Sequence, residues 1–285
     1  MSGSGEPLVL PSYCVYADLL GLRHRIQACK TKAATVALCK QIHGLFEGVS
    51  DDLGEQFNSA ENAQSYQFIS DGLFLGAPTD DRGDDADLGF PVMDIAYAQL
   101  RLVLAGFPIR GGLTFGDLHI SERLVFGPSA IEAYELETKR AIYPRIVVSD
   151  EVLSDAARHV RYYAKPDLCP HTAYFWRAKR DGAVFINYLE WTNEEDGGTN
   201  WTVLEKHRDA IQKGLVDSAR NERARRKFVW MRDYHNHFCR TAWRVESEED
   251  VPTSKFIQSL LVQPHRRAQH TFGRWGIKGR MSKTR

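Results

Sequence analysis

The feature that most constrains the fold is an Asp-Gly pair between two short apolar runs. Residues 66–70 and 73–75 have the composition of strands, and Asp71 and Gly72 join them. Asp-Gly between two apolar segments is the strongest short-range signal of a β-hairpin. The sequence therefore predicts an antiparallel strand pair with Asp71 at its tip.

Strand-like and helical runs alternate around this hairpin. Residues 13–17 predict a short buried strand that ends at Asp18, and residues 23–46 carry apolar side chains at helical spacing. Further runs predict strands at 107–115, 123–126, 146–148 and 183–188, and helices at 92–105, 129–140 and 150–162. Alternation of this kind, together with one tight hairpin, indicates an α+β fold in which a mixed sheet packs against helices.

The last third of the chain differs in character from the rest. Residues 200–237 are charged and helical in pattern, and the residues after Gln263 are basic and include no acidic side chain. We therefore predict a catalytic domain over residues 1–191 and a helical, basic C-terminal extension over residues 192–285.

Composition restricts the compartment and the partners. The 285 residues carry a formal net charge of zero, which gives no reason to expect a nucleic acid or an acidic membrane as a partner. Five cysteines without a CxxC spacing favour free thiols in a reducing compartment. No apolar run approaches the roughly 18 residues of a membrane helix, and the N-terminus lacks the layout of a signal peptide. We expect a cytoplasmic protein.

Asp18 and Asp71 are the candidate metal ligands. Divalent ions prefer oxygen ligands, and two carboxylates on neighbouring rigid elements can hold two ions roughly 3.5 to 4 Å apart. After Asp18, the residues Leu19, Leu20 and Gly21 lead into a predicted helix, whose N-terminal amides favour phosphate. Each aspartate also has a purely local explanation, because aspartate is favoured at helix caps and in turns.

The order of three short motifs resembles the class III nucleotide cyclases. The motifs are Val15-Tyr16-Ala17-Asp18-Leu19-Leu20-Gly21, Phe68-Ile69-Ser70-Asp71-Gly72 and Ile109-Arg110-Gly111-Gly112-Leu113-Thr114-Phe115-Gly116. In that class the first and second motifs carry the metal aspartates, and the third is a strand of the pattern R-x-G-(hydrophobic)-x-x-G. The resemblance implies two divalent ions, Mn²⁺ or Mg²⁺, with Asp18, Leu19 and Asp71 as their ligands.

A narrower resemblance covers roughly residues 13 to 190. Residues 125–137 and 143–146 are similar to the bacterial pyrimidine cyclases of the Pycsar anti-phage system. This similarity implies a mainly antiparallel sheet packed with helices, and a homodimer in which two subunits build each active site. It also implies the conversion of a pyrimidine nucleoside triphosphate into a cyclic nucleotide and pyrophosphate.

Two positions depart from the usual class III pattern. The asparagine that orients the ribose and the arginine that stabilises the transition state align with Ile131 and Glu135. The transition-state cation must therefore come from elsewhere, with Arg110, Arg123 or Arg140 as candidates for the charge-assisted phosphate contact. We take Arg110 as the catalytic candidate.

The residues that read the base also differ. Adenylate cyclases have a lysine and an acidic residue where this chain has Gln67 and Leu124. A leucine leaves a polar purine edge unpaired at a cost of roughly 1 to 3 kcal/mol. Tyr66 and Gln67 suit the smaller pyrimidine edge, and one of the two should point inward because strand neighbours alternate faces. We expect UTP as substrate, with CTP, or a non-catalytic nucleotide-binding relative, as the alternatives.

Two remaining patterns have simpler interpretations. His235, His237 and Cys239 lack a second pair at zinc-ligand spacing, so we expect them to be surface helix residues. A basic run comprises Arg220, Arg223, Arg225, Arg226 and Lys227. We expect this run to be a solvated helix face, with contact to triphosphate or nucleic acid as the alternative.

Overall fold

The computed structural model describes residues 8–57, 65–69, 72–79, 85–121, 123–166, 169–194, 197–245, 247, 251–263 and 268–275. Within these ranges the side chains of residues 52–57, 66, 68, 69, 85 and 86 lie outside the description. Asp71 is among the residues that are not described.

A sheet forms the centre of the molecule. Its strands are β1 (Leu10–Leu19), β2 (Ser65–Ile69), β3 (Gly72–Pro78), β4 (Ile109–Ile120), β5 (Val125–Phe126), β6 (Ile146–Val148), β7 (Phe175–Ala178), β8 (Val184–Ile186) and β9 (Phe272–Arg274). The order is β2-β3-β1-β4-β6-β8-β7-β9, and β5 pairs with β4. Among the described strands β4 and β6 pair in parallel, and the other pairs are antiparallel.

Helices cover the sheet and extend beyond it. They are α1 (Leu22–Ala28), α2 (Lys32–Phe57), α3 (Asp85–Leu104), α4 (Pro128–Lys139), α5 (Asp150–His159), α6 (Pro170–Tyr174), α7 (Trp201–Asp217), α8 (Glu222–Thr241) and α9 (Ser254–Leu260). The predicted α+β fold with a mainly antiparallel sheet is confirmed. No described helix combines the length and the apolar character needed to cross a membrane.

The two faces of β1 belong to different packing groups. Tyr13 and Val15 are buried in the main core, and Cys14 lies in a smaller cluster against α4, with Tyr16 packed on it. Because strand neighbours alternate faces, Asp18 lies on the side of the sheet that α4 covers. This face becomes polar at the end of β1, where the Asp18 side chain is about a fifth exposed.

Gly112 brings α4 close to the sheet. A Cβ at this position would lie 2.5 Å from Leu136 Cβ and 2.6 Å from the Ala133 carbonyl oxygen. Real Cβ atoms do not approach so closely, so only glycine allows this packing. At Gly112 the element that closely approaches the β4 backbone is therefore α4.

Helix α8 lies on the same face of the sheet as α4. Gly112 pairs with Val147, and Val147 pairs with Phe185. Paired residues share a face, and the Phe185 ring lies 5.4 Å from Trp230 and 5.8 Å from Tyr234 of α8. The two helices therefore cover neighbouring parts of one face.

Several local expectations need correction. The helix expected over residues 23–46 is two helices, because Cys29 is extended and Thr31 accepts a hydrogen bond from the Ala34 amide as a new N-cap. Strands β7 and β9 and helices α6 and α9 were missed. The domain division after residue 191 stays a prediction, although β9 pairs with β7 and the apolar side of α8 belongs to the main core.

The expectation of surface residues at 235–239 is wrong. His235 and Cys239 are fully buried, and a polar chain runs from Tyr188 through His207 and His235 to the carbonyl oxygen of Leu260. Burial lowers the pKa of His235 to about 4 and that of His207 well below its ordinary value. Both imidazoles are therefore neutral near pH 7 and tie α7, α8 and α9 together.

Candidate active site

Asp18 lies where three strands meet. It pairs with Gly72 of β3 on one side and with Arg110 of β4 on the other. Gly72 directly follows Asp71 in the sequence, which lies outside the described residues. The register therefore places Gly72, the residue after Asp71, beside Asp18, and the described parts of the three motifs are neighbours in the sheet.

Arg110 links Asp18 to a second carboxylate. Its Nη2 atom lies 3.9 Å from Asp18 Oδ2, and its Nε atom lies 2.5 Å from Glu137 Oε1. The alternative cations Arg123 and Arg140 are exposed. Of the three candidate arginines, Arg110 is the one for which the structure has an ion pair with Asp18.

Glu137 of α4 was missed by sequence reasoning. Its side chain is 3% exposed, which is rare for a carboxylate unless a cation accompanies it. A signal was present, because Ala130, Ala133 and Glu137 follow helical spacing and all three lie on the buried side of α4. A carboxylate on the apolar stripe of a helix predicts a buried cation nearby.

Lys227 of α8 departs from the expected solvated face. Its pKa falls from 10.5 to about 8, first because of burial and then because of the positive charges of Arg110 and Arg223. The negative charges of Asp18 and Glu137 raise the pKa but do not restore it. The charges of Asp18, Arg110 and Glu137 are thus among those that act on Lys227. Arg223 and Arg226 are exposed, as expected of the basic run.

Arg25 of α1 contacts the segment that leads into β4. It donates a hydrogen bond to the Gly106 carbonyl oxygen and lies over the Phe107 ring, 4.3 Å from its centroid. Burial lowers the pKa of Arg25, and the charge of Asp217 at the end of α7 opposes this shift. The last turn of α1 is therefore held against the residues before β4.

The loop predicted to bind phosphate comprises Leu19, Leu20 and Gly21. The Leu19 side chain is buried in the core, and its backbone pairs with Ile109. The Leu20 amide donates to the Pro108 carbonyl oxygen at 2.8 Å. Gly21 has a φ of 84°, a left-handed conformation that favours glycine. A phosphate contact by these three residues stays a prediction.

The residues predicted to read the base lie in separate places. Gln67 pairs with Phe74, whose ring lies 4.7 Å from Tyr16 on the Asp18 face. Tyr66 pairs with Leu75 through its backbone, and its side chain lies outside the description. Of these two residues, Gln67 is the one that the strand register places on the same face of the sheet as Asp18.

Leu124 lies at the far end of β4 from Arg110. Strand β4 extends to Ile120, and the Ser121 amide donates to the Leu124 carbonyl oxygen. A Cβ at Gly76, which pairs with Cys14 in the middle of β1, would lie 2.9 Å from Ile120 Cγ2, so β4 does not run straight. Leu124 lies beyond the end of this strand and outside the register that pairs Asp18 with Arg110.

The far end of β4 carries an exposed apolar surface, which we call the α4–β5 surface. Its members are strongly exposed large side chains, namely Leu124 at 48%, Phe126 at 63%, Ile131 at 65% and Tyr134 at 51%. Glu135 is also exposed and pairs with Lys139 at 2.9 Å. The two positions that depart from the class III pattern, Ile131 and Glu135, thus face outward, and clustered exposed apolar residues mark interaction surfaces.

The chemistry of Asp18 suits a divalent ion. Its carboxylate is partly exposed and offers about four acceptor positions, so the long contact with Arg110 leaves room for a hard cation. Within the described residues there is no group of three or more His, Cys, Asp or Glu side chains that could hold a metal. The complete ligand set depends on Asp71.

No protein-family model and no curated protein matches the chain. Among similar solved structures, the adenylyl cyclase CyaB from P. aeruginosa is 13% identical with a TM-score of 0.44, over 64% of this chain and 95% of its own. The guanylyl cyclase Cya2 is 15% identical with a TM-score of 0.42, over 64% and 93%. Similarity this low assigns neither a family nor an activity.

Proposed function

We propose that the chain is a metal-dependent nucleotide cyclase that converts UTP into 3′,5′-cyclic UMP and pyrophosphate, a phosphorus–oxygen lyase. The observation that carries the proposal is the register of β1, which sets Asp18 between Arg110 and the residue that follows Asp71. In keeping with the Pycsar-like motifs, the product would serve as a second messenger in anti-phage defence.

The residues of this cluster have distinct tasks in such a reaction. Asp18, Leu19 and Asp71 would hold two divalent ions, Mn²⁺ or Mg²⁺, which when bound stabilise charge on the attacking and leaving oxygens. The ribose hydroxyl of the substrate attacks the α-phosphorus, and pyrophosphate leaves. Arg110 offers its guanidinium to the charge that develops on the phosphate oxygens.

Glu137 is a positioning residue in this proposal. Its carboxylate is buried and 2.5 Å from Arg110 Nε. The opposite charges hold the guanidinium beside α4 and leave its outer nitrogens for another anion. Arg110 would therefore meet the phosphate in one orientation, which lowers the entropy cost of reaching the transition state.

The choice of base follows from the side chains on the Asp18 face. The amide of Gln67 can donate and accept hydrogen bonds, which suits a pyrimidine edge. Uracil and cytosine differ by one donor–acceptor pair, and an amide can rotate to serve either. CTP is therefore the second candidate substrate.

A homodimer would bring the two ends of β4 together. The α4–β5 surface, which includes Leu124 and Ile131, is exposed in one chain. A second copy with its Leu124 near the first copy's Asp18 would complete both sites. Ile131→Glu should shift the protein toward monomer in sedimentation velocity, and an unchanged dimer would remove this part of the proposal.

The substrate test offers each nucleoside triphosphate separately. Purified protein is incubated with Mn²⁺ and UTP, CTP, ATP or GTP, and cyclic product and pyrophosphate are quantified. We expect product from UTP, less from CTP, and almost none from the purines. Equal turnover of ATP and UTP would refute the base argument, and no product from any of the four would refute the cyclase.

A further inference from the structure

We propose that Tyr16 of β1 is a positioning residue for the divalent ions, because its ring forms the wall of the space beside Asp18 in which they bind. This inference rests on the proposed function and deepens it. The sequence motifs assign a task to Asp18 and to the residues that follow it, and none to Tyr16.

The space for an ion lies on the β3 side of Asp18. On the β4 side, Arg110 Nη2 lies 3.9 Å from Asp18 Oδ2, and its positive charge opposes a metal ion there. On the β3 side, Asp18 pairs with Gly72. Paired residues of antiparallel strands direct their Cβ atoms to the same face, about 5 Å apart. Because glycine has no side chain, residue 72 does not fill the position beside the Asp18 carboxylate.

The Tyr16 ring borders this space. Tyr16 comes two residues before Asp18 and therefore lies on the same face of the sheet. A Cβ at Gly72 would lie 2.7 Å from Tyr16 Cε2 and 3.1 Å from the Tyr16 hydroxyl oxygen. The ring therefore reaches diagonally from β1 to β3 and occupies part of the volume that a side chain at residue 72 would need.

Two aromatic contacts hold the ring in this place. Its centroid lies 4.7 Å from that of Phe74, the residue paired with Tyr16 in β3, and 5.5 Å from that of Tyr134 on α4. Tyr16 is only partly exposed between them. Contacts with both a strand and a helix restrict the ring to one position. The wall is thus in place before an ion binds, and it limits where an ion can lie relative to Asp18.

The chain offers a control for a purely structural role. A tyrosine over a glycine of the neighbouring strand also stabilises the strand pair, which would affect unfolding and leave ion binding by the folded protein unchanged. Gly76 lies in the same strand and on the same face as Gly72. A Cβ there would lie 2.7 Å from Leu118 Cδ2, but Gly76 pairs with Cys14 instead of Asp18.

The test measures Mn²⁺ binding without nucleotide, from the loss of the free-ion signal in electron paramagnetic resonance. Residues that orient metal ligands change metal affinity by about 10- to 100-fold. We expect at least about 10-fold weaker binding in Tyr16→Ala and in Gly72→Ala. Tyr16→Phe, which keeps the ring, and Gly76→Ala should bind as the wild type does. Asp18→Asn should lose the binding, which assigns the signal to this space.

A double variant tests the contact between the ring and the glycine. Tyr16→Ala and Gly72→Ala disturb the same contact, so their effects should not be independent. The loss of Mn²⁺ affinity in Y16A/G72A should therefore be smaller than the product of the two single losses. Circular dichroism confirms that each variant is folded at the temperature of the titration.

The outcomes separate this inference from the proposed function. The role of Tyr16 would be overturned by wild-type affinity in Y16A, by equal losses in Y16A and in Y16F or G76A, or by a fully multiplicative loss in the double variant. Unchanged binding in D18N, or no Mn²⁺ binding by the wild type, would also overturn it.

Cyclic product from the wild type would leave the cyclase standing in each of these cases. Tyr16-dependent Mn²⁺ binding without cyclic product from any nucleotide would instead retain the ion wall and refute the cyclase. If Y16A does not fold, Tyr16→Leu replaces it, because leucine keeps an apolar side chain but lacks the ring edge that reaches Gly72.

Discussion

Helices α4 and α8 cover the same face of the sheet, but the packing of α4 is easier to predict from its sequence than the packing of α8. Helix α4 follows a recognisable motif and buries alanines against β1 and β4. Helix α8 is highly charged, yet it buries Trp230 and Tyr234 in the main core. Helix α4 supplies Glu137 to the cluster at Asp18 and Arg110, and α8 carries the half-buried Lys227, whose pKa is shifted partly by those charges. The spacing of apolar residues predicts both helices from the sequence. Which of their charged residues lie near the site depends on tertiary packing.

The largest expected effect tests whether α8 belongs to the core. Trp230→Ala should lower the free energy of unfolding by about 3 to 5 kcal/mol, because it removes a fully buried aromatic side chain. Urea denaturation followed by circular dichroism measures this change. Arg226→Ala, four residues earlier and exposed, is the control and should change stability by less than about 0.5 kcal/mol. Similar small losses in both variants would mean that α8 is a peripheral extension.

The next effect compares two glutamates on α4. Glu137→Gln should cost about 1 to 3 kcal/mol of unfolding free energy, because a partly buried guanidinium loses its charged partner. Glu135→Gln removes only an exposed pair with Lys139 and should cost about 0.5 kcal/mol or less. In the cyclase assay E137Q should lower kcat more than it raises KM, and E135Q should change neither. Equal effects of the two variants would remove the positioning role of Glu137.

These comparisons also show what the sequence could and could not reveal. Strand β1 and the hairpin were predictable because alternation and an Asp-Gly turn are local signals. Strand β7 was missed because it is only four residues long and mostly buried, so its sequence does not alternate between apolar and polar side chains. Helix α8 was misjudged because charge suggests solvent, whereas Arg232 and Asp233 pair with each other at 2.7 Å inside the protein.

The residues of the site also fall into two groups, those that the sequence predicted and those that it did not. Asp18 and Arg110 were found because they sit in motifs whose order is visible in the chain. Glu137 ends the stretch of residues 125–137, but its ion pair with Arg110 forms only when α4 packs on the sheet, which a single sequence does not display. Leu124 was assigned to the base from alignment alone, and in the structure it lies beyond the end of β4, outside the register that pairs Asp18 with Arg110.

The most direct test of the central claim compares Asp18→Asn with the wild type and with the exposed control Asp209→Asn in cyclisation of UTP with Mn²⁺. Loss of a direct metal ligand should lower the rate of cyclic UMP and pyrophosphate formation by more than about 100-fold, while D209N keeps the wild-type rate. Cyclic UMP formed by D18N at the wild-type rate would contradict the assignment of Asp18 as the metal-binding carboxylate of a nucleotide cyclase.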